Sequence, residues 1–280
     1  MHATTKPLLL RQRSATQPII FLVFGMVMFI AGGQFGKGLS LFSMRGGLPL
    51  PQARISFPPN VKKIWINVGS HLDPPTPPDA ETAVLAVEPV LKTAAAIPVH
   101  PNLYVVTAAI SDTPSFSKFT IFNSGMSSSL SVPTDSAIYW AKDGARGDYP
   151  PFAIVPVLTL ELLLASIPED IAIEWVKTDM QGFDLQAAKS ASVASLRRVK
   201  KYQAELYWCG ASRPSFFFTR ITNVDARFLA SRSGGLVQYK GTKNFYEDWT
   251  AFMSLNGFRE IGDACKEMPY GESDGIWVYP

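Results

Sequence analysis

Alternation of short strand-like runs with helix-length segments constrains the fold of this 280-residue chain more than any other feature. Runs rich in Val, Ile, Trp and Tyr, bounded by Gly, Pro or polar residues, predict strands. The predicted strands are residues 61–68, 83–87, 103–110, 116–122, 171–178, 199–208, 258–261 and 276–279, and residues 158–167 are predicted to form an amphipathic helix. Strands that alternate with helices form βαβ units. We therefore predict an α/β fold with a mostly parallel sheet and an antiparallel edge formed by the last two strands.

The predicted strand at 171–178 brings charged residues to its carboxyl end. Lys177 and Asp179 lie there, before a turn at Gly182 and a predicted helix at 184–194. Ligands of open α/β sheets bind beyond the carboxyl ends of the strands. Residues two apart on a strand share a face. The two residues therefore form either a structural ion pair or a catalytic pair. In a catalytic pair, Asp179 would position or deprotonate an acceptor hydroxyl, and Lys177 would lower the pKa of Asp179. Glu205, on the next strand, is a candidate second carboxylate.

The N-terminal region is apolar and contains no acidic residue before Asp73. Residues 19–33 are uncharged, and a helix needs about 20 apolar residues to cross a bilayer. Preceding basic residues favour a cytoplasmic N-terminus. We predict a single-pass membrane anchor or signal helix, with the body on the lumenal side. A cleaved signal peptide, a plastid or mitochondrial transit peptide and a buried core helix are the alternatives. Residues 1–60 are assigned to this segment and a linker, and 61–280 to one folded domain.

Composition argues against several classes of function. The net charge of +3 arises in the acid-free N-terminal region, so we predict no nucleic-acid partner. Two cysteines, Cys209 and Cys265, are too few for a disulfide framework, and the sequence leaves their pairing open. Three histidines without a paired cysteine motif argue against zinc, and no metal site is expected. The sequence does not indicate an oligomeric state.

A glycine turn after the first predicted strand is followed by an acidic residue at the end of the second. Asn67, Gly69 and Ser70 form the turn, in which glycine permits close approach of a ligand and the N–H groups can face a carboxylate or phosphate. Glu88 follows at the end of the next strand. A carboxylate at that place can accept both hydroxyls of a ribose. The pair predicts a nucleoside-type cofactor.

Seven motifs occur in order along the chain: NVGS (67–70), AVEP (86–89), AAISD (108–112), SGMSSSL (124–130), LTLELL (158–163), KTDMQGFD (177–184) and NGF (256–258). Together they resemble the FkbM family of S-adenosyl-methionine-dependent methyltransferases, from about residue 61 to 278. The resemblance implies a doubly wound, mostly parallel seven-stranded sheet of the class I methyltransferase, Rossmann-like type.

The resemblance also implies a function and a site. S-adenosyl-methionine is the implied cofactor, with Glu88 on its ribose, Ser111 and Asp112 near its adenine, and Gly69 at its methionine end. The end of the strand carrying Lys177 and Asp179 would face the methyl donor and the acceptor. The family is associated with O-methylation, so a small-molecule or glycan hydroxyl is the implied acceptor.

The loop after Ser70 departs from the family pattern. Asp73 stands where a second glycine is expected, and residues 74–78 contain four prolines. Proline lacks an N–H donor and clashes with the preceding turn, so the helix that follows this loop in the family is expected to be missing or displaced. His71, in the same loop, is expected to be a solvated histidine.

The altered loop leaves three interpretations open. The protein could be an enzyme with a remodelled loop, a weak binder of the cofactor, or a fold that has lost the cofactor. The first alternative to an enzyme is therefore a non-catalytic binding or scaffold module. A second is a nicotinamide-dependent oxidoreductase, because a ribose-binding acid serves that cofactor too. The chain lacks the three-glycine fingerprint of that class.

Overall fold

The computed structural model describes residues 54–121, 127–132, 152–207, 244–262, 264 and 272–280. The strands in these residues are β1 Lys63–Val68, β2 Thr82–Val87, β3 Leu103–Val106, β4 Ala109–Ser111, β5 Ser115–Thr120, β6 Phe152–Thr159, β7 Ala172–Thr178, β8 Lys201–Tyr207, β9 Arg259–Glu260 and β10 Glu272–Val278. The helices are α1 Leu91–Ala96, α2 Leu160–Ala165, α3 Asp184–Lys189, α4 Val193–Leu196 and α5 Tyr246–Leu255.

Seven strands form one sheet in the order β3-β2-β1-β7-β8-β10-β9. The first five of these are parallel, whereas β10 runs antiparallel to both β8 and β9. The predicted α/β class, parallel sheet and antiparallel edge are confirmed, and the arrangement is compatible with a Rossmann-like fold. Because β2 and β7 lie on opposite sides of β1, the strand order reverses between β1 and β7. Ligands of such sheets bind in the crevice at this switch point.

The central strands are buried on both faces, which explains their near-continuous apolar sequences. Every residue of β2 is buried. Ile64, Ile66 and Val68 of β1 face the main core, to which α2, α3 and α5 also contribute buried side chains. Trp65 points to the other face, where it packs against a smaller cluster that includes Val84. This burial holds the carboxyl ends of β1 and β2 in fixed positions.

A second sheet, in the order β4-β6-β5, lies beside the main sheet. It splits the predicted strand 103–110, because β3 ends at Val106 and β4 leaves the main sheet to pair with β6. β6 was not predicted, since it contains Pro156, which cannot donate a ladder hydrogen bond. Pro156 pairs with Phe116 of β5, whereas β4 pairs with β6 only from Val157 onward.

The two predicted helices are shorter than expected. The helix predicted at 158–167 begins only after Thr159, whose side chain accepts from the Leu162 N–H at 3.1 Å and caps α2. The helix predicted at 184–194 is divided into α3 and α4. The Ser190 hydroxyl donates to the Ala187 carbonyl, and the Ser192 side chain caps α4. Serine side chains that bond to nearby backbone compete with helix continuation.

The predicted anchor, residues 19–33, lies outside the described residues, as do Cys209 and Cys265. Within the described part of the chain, no helix combines the length and apolar character needed to cross a membrane. The membrane and organelle assignments stay predictions. Ile55, in the segment predicted as linker, is buried in the main core and donates its N–H to the Ser166 carbonyl at 2.9 Å.

Candidate functional site

A narrow cleft lies at the carboxyl ends of β1, β2 and β7, where the strand order reverses. The turns after these strands form one side, and β4, β5 and residues 127–130 form the other. The polar side chains in its lining are His71, Glu88, Ser128, Asp179 and Gln181. Its cavity volume is about 40 Å³, which is room for about three water molecules. A nucleoside would therefore require the walls to move apart.

Gly69 is required by the packing between the ends of β1 and β7. Its φ is +77°, and a Cβ atom there would collide with the Asp179 carbonyl oxygen. The Asp179 N–H donates to the Val68 carbonyl at 3.0 Å, so the ladder between the two strands continues into the turn. Close approach of a ligand, the expected reason for this glycine, is not needed to explain it.

The backbone N–H groups of the turn after β1 point at β2. Those of Gly69 and Ser70 donate to the Val87 carbonyl at 2.9 and 3.3 Å, and that of His71 donates to Glu88 Oε2 at 3.0 Å. Ser70 is buried, and its hydroxyl also donates to the Val87 carbonyl, at 3.4 Å. The expectation that these amides face a ligand carboxylate or phosphate does not hold. They fix the end of β2 instead.

Glu88 lines the cleft, and both of its carboxylate oxygens are oriented by backbone amides. Oε2 accepts from His71 at 3.0 Å and Oε1 from Val90 at 2.9 Å. Burial raises the pKa of Glu88 to about 7, although the two backbone hydrogen bonds oppose the shift. A carboxylate has about four lone-pair positions, so each oxygen retains capacity for one further donor. The carboxylate can accept two hydroxyls without losing its supports.

Lys177 and Asp179 lie on the same face of the sheet, with Nζ and Oδ2 3.8 Å apart and about 30% of each side chain exposed. Asp179 lines the cleft, whereas Lys177 is outside its lining. Gln181 Nε2 donates to Asp179 Oδ1 at 3.0 Å and lies 3.3 and 3.4 Å from the oxygens of Glu205. The structure thus brings the three predicted charged residues together, with Gln181 between the carboxylates.

Two residues of the cleft adopt left-handed backbone conformations although they are not glycines. The φ of His71 is 47° and that of Gln181 is 55°. Such conformations cost about 1–3 kcal/mol each and cluster at functional sites. The His71 Nε2 atom is buried and has no hydrogen-bond partner in the described part of the chain. The expectation of a solvated histidine is therefore wrong. Gln181 was not predicted as a site residue, because its position depends on a backbone conformation that the sequence does not signal.

A buried polar network holds the turn between β7 and α3. Asp184 is fully buried and accepts from the Met180 N–H at 3.0 Å and from Asn244 Nδ2 at 3.2 Å. Asn244 Oδ1 accepts from Trp249 Nε1 of α5 at 2.8 Å. Burial, reinforced by the nearby charge of Asp179, raises the pKa of Asp184 to about 7. The network connects α5 to the turn that carries Asp179.

Four of the predicted cofactor-binding residues, Asn67, Ser70, Ser111 and Asp112, lie outside the lining of the cleft as the described residues form it. Ser111 is buried at the end of β4, and its hydroxyl donates to Asp112 Oδ1 at 3.3 Å. Ile110, the residue before this pair, does line the cleft. Asn67 is buried in β1 on the face opposite Val68, beside Lys177 of β7.

Metal-ligating side chains do not converge in the described ranges: no group of three or more His, Cys, Asp or Glu residues there could hold an ion. In comparisons with known proteins, no family profile matches the chain and no curated protein gives a significant match. The family resemblance therefore stays a prediction that rests on the motifs.

Proposed function

We propose that this protein is an S-adenosyl-methionine-dependent methyltransferase of the class I type that transfers a methyl group to a hydroxyl of a small molecule or glycan. The observation that carries the proposal is that Glu88 and Asp179 face one cleft at the switch point between β1 and β7. A carboxylate at the end of the second strand is the usual ribose acceptor in Rossmann-like sheets. The strand order and the seven motifs support the same assignment.

The residues of the cleft have separate tasks in this proposal. When bound, S-adenosyl-methionine supplies an electrophilic methyl group. Glu88 holds the ribose hydroxyls, and Asp179 accepts the O–H of the acceptor and orients its oxygen. Gln181 fixes the Asp179 carboxylate by donating to Oδ1. Lys177 offsets its charge from 3.8 Å away. Methyl transfer depends mainly on in-line positioning of the two reactants, so the reaction does not require a strong base. A partly exposed carboxylate such as that of Asp179 is then sufficient.

Binding requires the cleft to widen. The wall that contains Ser129 is connected to the opposite side by the hydrogen bond from its hydroxyl to the Gln181 carbonyl, 3.1 Å long. One hydrogen bond contributes about 1 kcal/mol net, so ligand binding can compensate for its loss.

A non-catalytic binding module with the same fold is the second candidate. The narrow cleft and the internal use of the amides at 69–71 favour it. Both candidates retain the fold but differ in whether the cleft takes a nucleoside.

Calorimetry distinguishes them. Full-length protein in a mild detergent is titrated with S-adenosyl-methionine and S-adenosyl-homocysteine, together with the Glu88→Gln variant. Exposed Glu169 supplies the matched control, Glu169→Gln. We expect micromolar binding that Glu88→Gln weakens at least about tenfold, or about 1.4 kcal/mol, and that Glu169→Gln leaves unchanged. Absence of binding by folded protein would contradict the enzyme and leave the binding module.

A further inference from the structure

Most backbone N–H groups of the turn after β1 are already used within the protein. The N–H groups of Gly69, Ser70 and His71 all donate to the end of β2. That of Asp73 donates to the Ser70 carbonyl at 3.2 Å. Four of the next five residues are prolines, which have no N–H. Four of the amides at 69–73 are thus unavailable to a ligand, and a side-chain donor can take their place.

The side-chain donors in the lining of the cleft are few. Gln181 Nε2 already donates to Asp179 and lies beside Glu205. His71 Nε2, by contrast, is buried and has no hydrogen-bond partner among the described residues. An unpartnered buried polar atom is unfavourable unless a ligand or water satisfies it. The left-handed φ of 47° adds local strain, as is common where a residue is held for binding.

The neighbours of His71 indicate which part of a ligand it meets. Its backbone N–H contacts Glu88, which we assign to the ribose, and Gly69 of the same turn abuts Asp179, which we assign to the acceptor. His71 thus lines the cleft beside Glu88, on the turn that also contacts Asp179. In S-adenosyl-methionine, the amino-acid portion extends from the ribose through the sulfur.

We propose that His71 Nε2 donates a hydrogen bond to the carboxylate of the amino-acid portion of the cofactor. This inference rests on the proposed function and assigns His71 as a positioning residue. The imidazole supplies a donor in place of the amides at 69–71, because those amides bond to Val87 and Glu88 at the end of β2. The chain has thus exchanged backbone recognition of this group for recognition by a side chain.

Two substitutions separate the side-chain donor from the backbone. Asparagine tolerates the left-handed conformation, but its amide reaches only as far as the Nδ1 position of histidine. Glutamine extends an amide donor towards the Nε2 position. His71→Asn therefore removes the proposed donor with the turn preserved, and His71→Gln restores it in part. His100→Asn, at a histidine whose Nδ1 accepts from the Asn102 N–H, is the control.

The ligand pair is S-adenosyl-homocysteine and methylthioadenosine, which share adenosine and a thioether, whereas only the first has the amino-acid carboxylate. We expect His71→Asn to weaken binding of S-adenosyl-homocysteine at least about tenfold, the effect of losing a hydrogen bond to a charged group. Methylthioadenosine affinity should change by less than about twofold, and His71→Gln should recover part of the loss.

Unchanged S-adenosyl-homocysteine binding in His71→Asn, with wild-type binding intact, would overturn this inference and leave the proposed function standing. Equal weakening of both ligands would also overturn it, because His71 would then act only by holding Glu88. If the folded wild-type protein binds neither ligand, the proposed function fails and the inference with it.

Discussion

The backbone N–H of His71 donates to Glu88 Oε2 at 3.0 Å, which joins the turn after β1 to the carboxylate at the end of β2. The Val90 N–H holds the other oxygen at 2.9 Å. In a glycine-rich loop that runs into a helix, amides of this turn point at the ligand. In this chain prolines follow the turn in place of a helix, and the amides at 69–71 donate to the Val87 carbonyl and the Glu88 carboxylate instead. The site is therefore built around a fixed Glu88.

Cofactor affinity should increase with pH. The pKa of Glu88 is raised to about 7 by burial, so the group is largely protonated at pH 6 and largely ionised at pH 8. The ionised form accepts both ribose hydroxyls, and hydrogen bonds to a charged acceptor are about twice as strong. We expect the Kd for S-adenosyl-homocysteine to fall several-fold between these pH values in calorimetry. Glu88→Gln should lose this dependence, and equal slopes in both proteins would contradict the assignment.

The stability of the fold should decrease as the pH rises towards about 7. The folded-state pKa values of Glu88 and Asp184 are both raised to about 7, from model-compound values of 4.5 and 3.8. The native state therefore binds more protons than the unfolded state between about pH 4 and 7. The stability that these two carboxyl groups contribute is fully present below their pKa values in the unfolded state, and it is lost as the pH rises through about 7.

Urea unfolding of the full chain at pH 5, 6, 7 and 8 measures this stability. We expect the free energy of unfolding to fall from pH 5 to 7 and then level off. Glu88→Gln removes one of the two groups, so it should reduce the slope by about half. A free energy that rises steadily across this range would show that neither carboxyl carries the raised pKa.

Much of the framework could be predicted from particular residues. The apolar runs of β1, β2 and β7 are buried between neighbouring strands, so local sequence and final structure agree. The rule that ligand sites lie at the carboxyl ends of parallel strands also predicted that Glu88 and Asp179 would lie in one crevice. β6 was missed because proline is excluded from most strands, although Pro156 here pairs with Phe116 of β5.

The fine structure of the site could not be predicted, because it depends on contacts between distant segments. The left-handed conformation of His71 accompanies its amide bond to Glu88, seventeen residues away. Gln181 lies between Asp179 and Glu205 only once β7 and β8 have paired. The sequence carries no local signal for either arrangement.

Replacement of Gly69 by alanine should be far more destabilising than replacement of Gly257. Both glycines have positive φ, +77° and +87°. A Cβ at Gly69 collides with the Asp179 backbone, whereas at Gly257 it meets the edge of the Tyr279 ring at 3.3 Å, which can shift. We expect a loss of about 1 kcal/mol for Gly257→Ala and at least about 3 kcal/mol for Gly69→Ala, measured by urea unfolding. Similar losses would show that β1 and β7 do not meet as described.

Asn244→Ala should loosen the turn that carries Asp179. It removes the donor to Asp184 Oδ2 and the acceptor of the Trp249 N–H, while the Met180 N–H still donates to Asp184 Oδ1. We expect the free energy of unfolding to fall by about 2–4 kcal/mol. Asn256→Ala is the matched control, because Asn256 Nδ2 makes a bond of 2.8 Å to the Phe252 carbonyl. We expect Asn256→Ala to lower the free energy of unfolding by about 1 kcal/mol. If urea or thermal unfolding shows equal losses of stability for the two variants, the hydrogen-bond network around Asn244 does not stabilise the fold as described.

The contact between Glu88 and the cofactor ribose is the central claim, and one binding cycle tests it directly. S-adenosyl-homocysteine and its 2′,3′-dideoxyribose analogue are titrated into the wild-type protein and into Glu88→Gln at pH 8. The account predicts that the wild type binds the analogue at least about tenfold more weakly and that Glu88→Gln discriminates much less between the two ligands. Discrimination between the ligands that persists undiminished in Glu88→Gln would contradict it.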